Sequence, residues 1–253
     1  MVQWVGKHWF RRYLLNIAIL SQKLEIIFED DHLIAINKPA GVLVHRTSLA
    51  KEEEELLAVQ MLRNQIQKKV YPLHRIDRPT SGVLLFGKDS ETTSMLQPLF
   101  PTDKVNKLYL SVVRGYVSEH GIIEQPLKKK LHGELQEAKT EFWRLSQTEI
   151  PFASSPRYST SRYSLIKVYP HTGRMHQIRR HMAHARHYVI GDNTHGDNKQ
   201  NNFFRRQFDF HHMLLHAWKL NFKHPHSEKN ITIKAPLPPY FEAILKTLGL
   251  NFT

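Results

Sequence analysis

The stretch His74-Arg75-Ile76-Asp77-Arg78-Pro79-Thr80-Ser81-Gly82 sets one carboxylate between two guanidinium groups, just ahead of the apolar run Val83-Leu84-Leu85-Phe86. Flanking positive charge favours the ionised carboxylate. Such an Asp suits the work of a nucleophile or base better than that of a general acid. Pro79 fixes its own φ and keeps Arg78 extended, while Gly82 accepts dihedrals that other residues resist, so a Pro-Thr-Ser-Gly turn should hold Asp77 at a rigid corner. A partner for it is found far along the chain. Met175, Ile178, Met182 and Ala185 recur at helical intervals, which predicts a helix from Arg174 to His187 with those four residues buried. Arg179 falls at the edge of that stripe, where an unpaired guanidinium is costly. Asp77 is the candidate to pair with it.

Other chemistries leave weaker traces. The absence of cysteine excludes disulfides, thiolate metal sites and a cysteine nucleophile together. Among 17 histidines, His181, His184 and His187 are spaced by three and His212 and His216 by four, intervals that on a helix could serve the zinc of a metal-dependent hydrolase. No His-Glu-x-x-His accompanies them, so a solvated polar face is the stronger reading. The 36 Lys and Arg against 23 Asp and Glu leave a net charge of +13 with neutral histidines. A chain this basic points to a polyanionic partner, nucleic acid first and acidic membrane second.

The elements that must position these groups read as follows. Leu24–Glu29 and His32–Asn37 are β-rich runs joined by Asp30-Asp31, a hairpin. Lys38-Pro39-Ala40-Gly41 ends the second strand, with Lys38 open to solvent. Ser48 to Lys69 reads as a helix that Ser48 caps, with Leu49, Leu56, Val59, Leu62 and Ile66 facing the core and Glu52 to Glu55 solvated. Val83–Phe86 is a buried strand, and Ser90 opens a short helix that Pro98 and Pro101 cut. Strands follow at Lys107–Gly115, Ile122–Leu127, Lys139–Leu145, Arg162–Val168, Met213–Ala217 and Ile231–Pro236, with Ala153–Pro156 a loop and Tyr240–Leu248 a final helix. Lys128-Lys129-Lys130 is either a phosphate contact or a solvated run. At 253 residues, without internal repeat or long linker, the chain is expected to form one α/β domain of the α+β type over 22–253, built on a large, mostly antiparallel sheet. Residues 1–21 carry an apolar run too short to span a bilayer and no small-residue cleavage site, and are read as a loosely attached extension. The expected compartment is the cytoplasm.

The nonamer at Asp77 resembles the His-Arg-Leu-Asp-x-x-Thr-Ser-Gly signature of the RluA family of pseudouridine synthases, with Ile76 in place of Leu. Two further segments agree in order. Asn37-Lys38-Pro39-Ala40-Gly41 is similar to that family's first motif, and Thr172-Gly173-Arg174-Met175-His176-Gln177-Ile178-Arg179 to its Thr-Gly-Arg-x-His-Gln-Ile/Leu-Arg motif.

The resemblance implies conversion of uridine to pseudouridine in RNA, with Asp77 essential, Arg179 its partner and Tyr109, from the Lys-x-Tyr strand, against the target base. It implies that Arg75 fills the place of a flipped base. Arg78, Arg174, His176, Lys128, Lys129 and Lys130 are the further RNA contacts expected, with Arg205-Arg206 as more distant phosphate holders. The isomerisation needs no redox change and no external group, so it implies neither cofactor nor metal, and the chain is expected to act as a monomer. Within the family, Pro156-Arg157-Tyr158, Arg179–His184 and His195–Asn201 liken it to members acting on tRNA at uridine 65. Relatives acting on ribosomal RNA share the catalytic motifs, and a non-catalytic RNA-binding module is the remaining alternative.

Overall fold

The computed structural model describes residues 23–44, 57–129 and 133–252. The proposed extension at 1–21, the cap at Ser48, the acidic run from Glu52 to Glu55 and Lys130 all lie outside the described residues.

Strand β4 (Ser81–Gly87) is the centre of the fold. Every residue in it is buried, and its near-continuous apolar run reflects cover on both faces. Alternation divides that run between two cores. Val83 and Leu85 pack with Leu33 and Ala35 on one side. Leu84 and Phe86 pack with Ile34 and Ile36 on the other. The expected hairpin is present as β1 (Glu25–Glu29) and β2 (Leu33–Lys38), antiparallel to each other, with β2 antiparallel to β4. Beyond β4 the sheet continues through β11 (Leu215–Lys223), β5 (Asn106–Arg114), β10 (Ser161–Pro170), β9 (Thr140–Ile150) and β6 (His120–Ile123). Short β3 (Tyr71–Pro72) joins β4 and β12 (Asn230–Lys234) joins β11, while β7 (Leu127–Lys128) and β8 (Leu135–Gln136) form a separate ribbon. Within the large sheet only β4 and β11 run parallel among the described pairs. The mixed, mostly antiparallel sheet flanked by helices matches the expected class.

Five helices complete the described residues: α1 (Ala58–Ile66), α2 (Ser90–Leu96), α3 (Gln177–His184), α4 (Asn198–Phe208) and α5 (Pro239–Leu248). Asp89 caps α2 by accepting from the Thr92 N–H, and a 3₁₀ turn at Gln97–Leu99 ends it at the prolines. The large core under α4 and α5 joins Leu110, Val112, Tyr163 and Leu165 to Phe204, Phe241 and Leu245. On the opposite face Val113, Ile166 and Val168 meet Ile178 and Met182 of α3, with Tyr109 packed against them.

Four local expectations need correction. Gly82 has the unusual dihedral expected of it, φ +112°, but it lies inside β4 and not in the turn, and a Cβ there would stand 2.2 Å from the Ala217 carbonyl oxygen. Glycine is required because β11 approaches the backbone at that point. Lys38 is fully buried, not solvated. Helix α3 starts three residues later than expected because His176 takes a left-handed conformation at φ 53°. Met175 therefore precedes the helix and is 49% exposed, outside the core it was assigned to. The described part of the first helix begins at Ala58, although Leu62, Val59 and Ile66 do face the core as expected.

Candidate active site

The 74–80 segment enters the site between β3 and β4 and is fixed at both ends. His74 accepts the Leu85 N–H at Nε2 (3.1 Å), which places its proton on Nδ1, and its ring stacks on Phe100 at 4.6 Å. Burial, with Lys107 nearby, pulls this imidazole down to about 3, so it stays neutral. At the other end the Thr80 N–H donates to the Asp77 carbonyl at 3.0 Å, closing a tight turn around Arg78-Pro79. Behind the turn, the Lys38 ammonium donates to the carbonyls of Pro39, Val42 and Arg78 at 2.8, 2.9 and 3.2 Å. Three acceptors satisfy all three N–H groups. Burial pulls Lys38 down to about 7, against the opposing charge of Asp77. The first motif is thus a clamp on the turn carrying Asp77.

Asp77 meets Arg179 across 102 positions of sequence, with Arg179 Nη1 donating to Asp77 Oδ2 at 2.9 Å. The expected pair is present, and the structure adds a third member. Arg179 Nε and Nη2 donate to Asp192 Oδ2 and Oδ1 at 2.8 and 2.7 Å. Arg179 is 3% exposed and Asp192 1%. Burial pushes the Asp192 carboxyl up, but the Arg179 hydrogen bond and charge and the N–H groups of His195 and Thr194 outweigh it and hold it below the usual carboxylate range. Burial likewise disfavours the Arg179 charge, and the two carboxylates more than offset it. A planar fork that serves two carboxylates at once is specific to arginine.

These groups open on a cavity of about 400 Å³ whose wall includes Arg75, Asp77, Tyr109, Arg174, His176 and Arg179. Asp77 is 24% exposed. Its Oδ2 is occupied by Arg179, while Oδ1 stands 4.0 Å from His176 Nε2. Tyr109 reaches the wall from β5. Burial, and secondarily the Asp77 charge, push its phenol up, so it remains neutral. Its hydroxyl has no hydrogen-bond partner among the described residues. Arg75 is exposed at the cavity wall and makes no ion pair with a described residue.

Residues 172–179 are held by Gln177. Its Oε1 accepts from Thr172 Oγ1 (2.6 Å) and the Arg174 N–H (3.0 Å), and its Nε2 donates to the Lys139 carbonyl and Thr140 Oγ1. His176 Nδ1 lies 2.9 Å from His195 Nε2, so the two rings share a proton between them. Burial pulls both below the ordinary histidine value, with Asp77 opposing at His176 and the Arg179 charge adding to the effect at His195.

Several of the singled-out basic residues and histidines lie away from the cavity wall. Arg78 Nε donates to the Gly41 carbonyl at 3.0 Å, tying the turn to the 38–42 loop, and Arg78 is not on the cavity wall. Lys128 and Lys129 are exposed on the β7–β8 ribbon, where the Lys128 carbonyl accepts from Arg180 at 3.0 Å. Arg205, on α4, donates to Asn202 of the same helix and to Asn193 in the loop before it, and Arg206 is exposed near the helix end. His216 lies in β11 and not on a helix with His212. His181 uses both ring nitrogens, on Thr140 Oγ1 and the Gln125 carbonyl, each at 2.9 Å.

Four residues were given no role at the site by the sequence: Asp192, His195, Lys107 and Thr80. Lys107 was legible in principle, since it stands two residues before Tyr109 in a strand and so shares its face. It lines the cavity and donates to the Phe100 carbonyl. Thr80 lines the cavity with a buried hydroxyl that has no partner among the described residues. A buried hydroxyl of that kind is suited to bond a ligand. Asp192 and His195 come from a loop whose relation to Asp77 exists only in three dimensions.

Comparison with known proteins agrees with this geometry. A family model described as RNA pseudouridylate synthase matches residues 32–184. The tRNA pseudouridine synthase C of Vibrio parahaemolyticus is 45% identical over 225 residues, covering 85% of this chain and 91% of the relative. That of Haemophilus ducreyi is 44% identical over 240 residues, covering 91% and 98%. Among solved structures, human RNA pseudouridylate synthase domain containing 4 superposes with a TM-score of 0.68 at 22% identity, over 96% of this chain and 99% of that one. Human domain containing 1 gives 0.68 at 20%, over 92% and 96%. At those identities the two structures speak for the fold alone.

Proposed function

The chain belongs to the RNA pseudouridylate synthase family, and from that premise we propose how its residues isomerise uridine, and that the substrate is tRNA at uridine 65. The reaction breaks the N1–C1′ bond, turns the uracil in place and joins C5 to C1′. C5 loses a proton and N1 gains one, so the composition is unchanged.

The observation that carries this reading is the division of labour at Asp77, whose Oδ2 is anchored by Arg179 while Oδ1 remains at the cavity. A fixed orientation of this kind lowers the entropic cost of reaching the transition state. Asp77 then acts at the ribose, by attack at C1′ or by removing the C2′ proton. A base in a stem must first leave the stack, and Arg75, exposed at the cavity wall, takes the vacated position. Tyr109 lies against the uracil and, being neutral, helps pass on the C5 proton. Arg174 and His176 hold the neighbouring backbone, and Lys128 and Lys129 contribute phosphate contacts at longer range.

Relatives named for tRNA favour that substrate, as does the net charge of +13. Among the described residues no helix is long and apolar enough to cross a membrane. We place the enzyme in the cytoplasm as a monomeric domain over 22–253. The test is tritium release from tRNA transcript carrying C5-tritiated uridine. Release by the wild type and none by Asp77→Asn, with the product mapped to position 65, is expected. Release from ribosomal RNA only would overturn the substrate, and no release from either would overturn the mechanism.

A further inference from the structure

Beside the active site lies a second, open cleft of about 850 Å³, lined by the 155–158 turn, Tyr188, Arg114 and residues 196–199 at the start of α4. None of these residues is used in the isomerisation proposed above. We propose that this cleft binds a nucleotide of the substrate RNA other than the uridine being isomerised, its base on Tyr158 and its phosphate on Arg157 and Lys199. The inference rests on the reading of the protein as an RNA-modifying enzyme and adds a site to it.

Charge is the first argument. The cleft wall holds three cations, Arg114, Arg157 and Lys199, against one carboxylate, Asp197. That carboxylate is already used: Arg114 Nη1 donates to Asp197 Oδ2 at 2.9 Å, and Oδ1 accepts the Lys199 N–H at 2.9 Å. Arg157 and the Lys199 ammonium have no acidic partner among the described residues. Two uncommitted cations on one wall form a site for an anion.

The second argument is an aromatic ring left in solvent beside them. Tyr158 is 58% exposed, and the Arg157 guanidinium sits 5.4 Å from its ring centroid. An exposed aromatic with interleaved basic residues is the arrangement by which proteins hold unstacked bases and their phosphates without reading sequence. A small acidic metabolite would not require the ring.

The third argument is position. One loop serves both sites. Asp192 holds Arg179, His195 meets His176 at 2.9 Å, and the next residue, Gly196, lines the second cleft. A Cβ at Gly196 would stand 2.1 Å from the Asp192 carbonyl oxygen, so the loop folds tightly back on itself. Arg114 ends the strand that carries Tyr109 five residues earlier, roughly 17 Å away at the rise of a β-strand. That is too far for the same base and near enough for another part of the same RNA.

The test measures binding of the full chain to a fluorescently labelled, unmodified tRNA transcript by anisotropy, alongside tritium release. Tyr158→Ala should weaken binding about 5- to 150-fold, the range for loss of one base stack, whereas Tyr158→Phe should stay within about twofold of wild type. Arg157→Ala should reduce the slope of log Kd against log salt by about one. At saturating RNA, kcat should be unchanged in all three. Wild-type affinity in Tyr158→Ala would overturn the proposal, as would Tyr158→Phe binding as weakly as Tyr158→Ala or an unaltered salt slope in Arg157→Ala. Binding is read apart from turnover. A wild type that binds tRNA but releases no tritium would therefore break the synthase reading, while the same variants would still decide this one.

Discussion

Arg179 holds Asp192 with two hydrogen bonds, at 2.8 and 2.7 Å, and Asp77 with one, at 2.9 Å. The asymmetry separates the roles of the two carboxylates. Asp192 fixes the guanidinium from the buried side, and Asp77 receives one oriented donor while its second oxygen remains available for chemistry.

Replacing Asp77 by Asn should remove tritium release by roughly 10⁴-fold or more, the scale of loss when the reacting group of a catalytic unit is deleted. Arg179 retains both bonds to Asp192, so a melting temperature within a few degrees of wild type is expected, a change of about 1 kcal/mol. RNA affinity measured on the same variant should hold.

Asp192→Ala tests the anchor. It leaves a buried guanidinium with one single-bond partner, and breaking a buried pair from one side costs about 3–5 kcal/mol. Denaturant unfolding should show that loss, and kcat should fall because Asp77 loses its fixed orientation. Arg179→Lys should fail likewise, since an ammonium lacks the fork that spans two carboxylates.

Tyr109→Phe keeps the ring and removes the hydroxyl. If the phenol relays the C5 proton, kcat should drop about 10²- to 10⁴-fold with RNA binding retained. Tyr109→Leu should also raise KM. A Phe variant with wild-type kcat would confine Tyr109 to stacking.

Gly82→Ala should be among the most damaging single-methyl changes in the chain. The added carbon would stand 2.2 Å from a backbone oxygen of β11 at a position with φ +112°. Backbone strain of about 1–3 kcal/mol adds to that clash. Loss of soluble protein, or a melting point well below wild type, is the expected result.

Acid should destabilise the fold through His216. This fully buried ring lies 2.9 Å from Ser81 Oγ at Nδ1 and 3.3 Å from the Ala235 carbonyl at Nε2. Burial lowers it to about 4, from an ordinary value of 6.5. The unfolded chain therefore binds this proton first. Its contribution to stability is complete above pH 6.5 and is lost as pH falls towards 4, by up to about 1.4 kcal/mol per pH unit. Denaturation midpoints measured across that window should fall in the wild type and fall less steeply in His216→Gln.

The sequence by itself determined the elements with strong local signals. The β-rich residues of the Glu25–Glu29 and Leu33–Lys38 strands with Asp30-Asp31 between them, the apolar run of β4, the prolines that end α2 and the motif around Asp77 are all local in the chain. The pairing of Asp77 with Arg179 was also within reach, because a guanidinium beside a buried stripe needs a carboxylate and the two motifs supplied one each. Lys38 was misjudged because burial is a property of neighbours, here the three carbonyls that surround its ammonium. Met175 followed the helical period but not the helix, since the left-handed turn at His176 stops the period before reaching it.

That Asp192 and His195 meet the active site, and that the 155–158 and 196–199 segments meet in a second cleft, was decided by the tertiary structure alone. No spacing rule links a loop after α3 to a turn before β4. The linkage arises because the parallel pairing of β4 with β11, at Gly82 and Ala217, aligns strands far apart in the chain. Packing of α3 against β9 and β10 then brings Arg179 and that loop to the same opening. Sequence specifies which groups can react, and the contacts made across the sheet decide which of them meet.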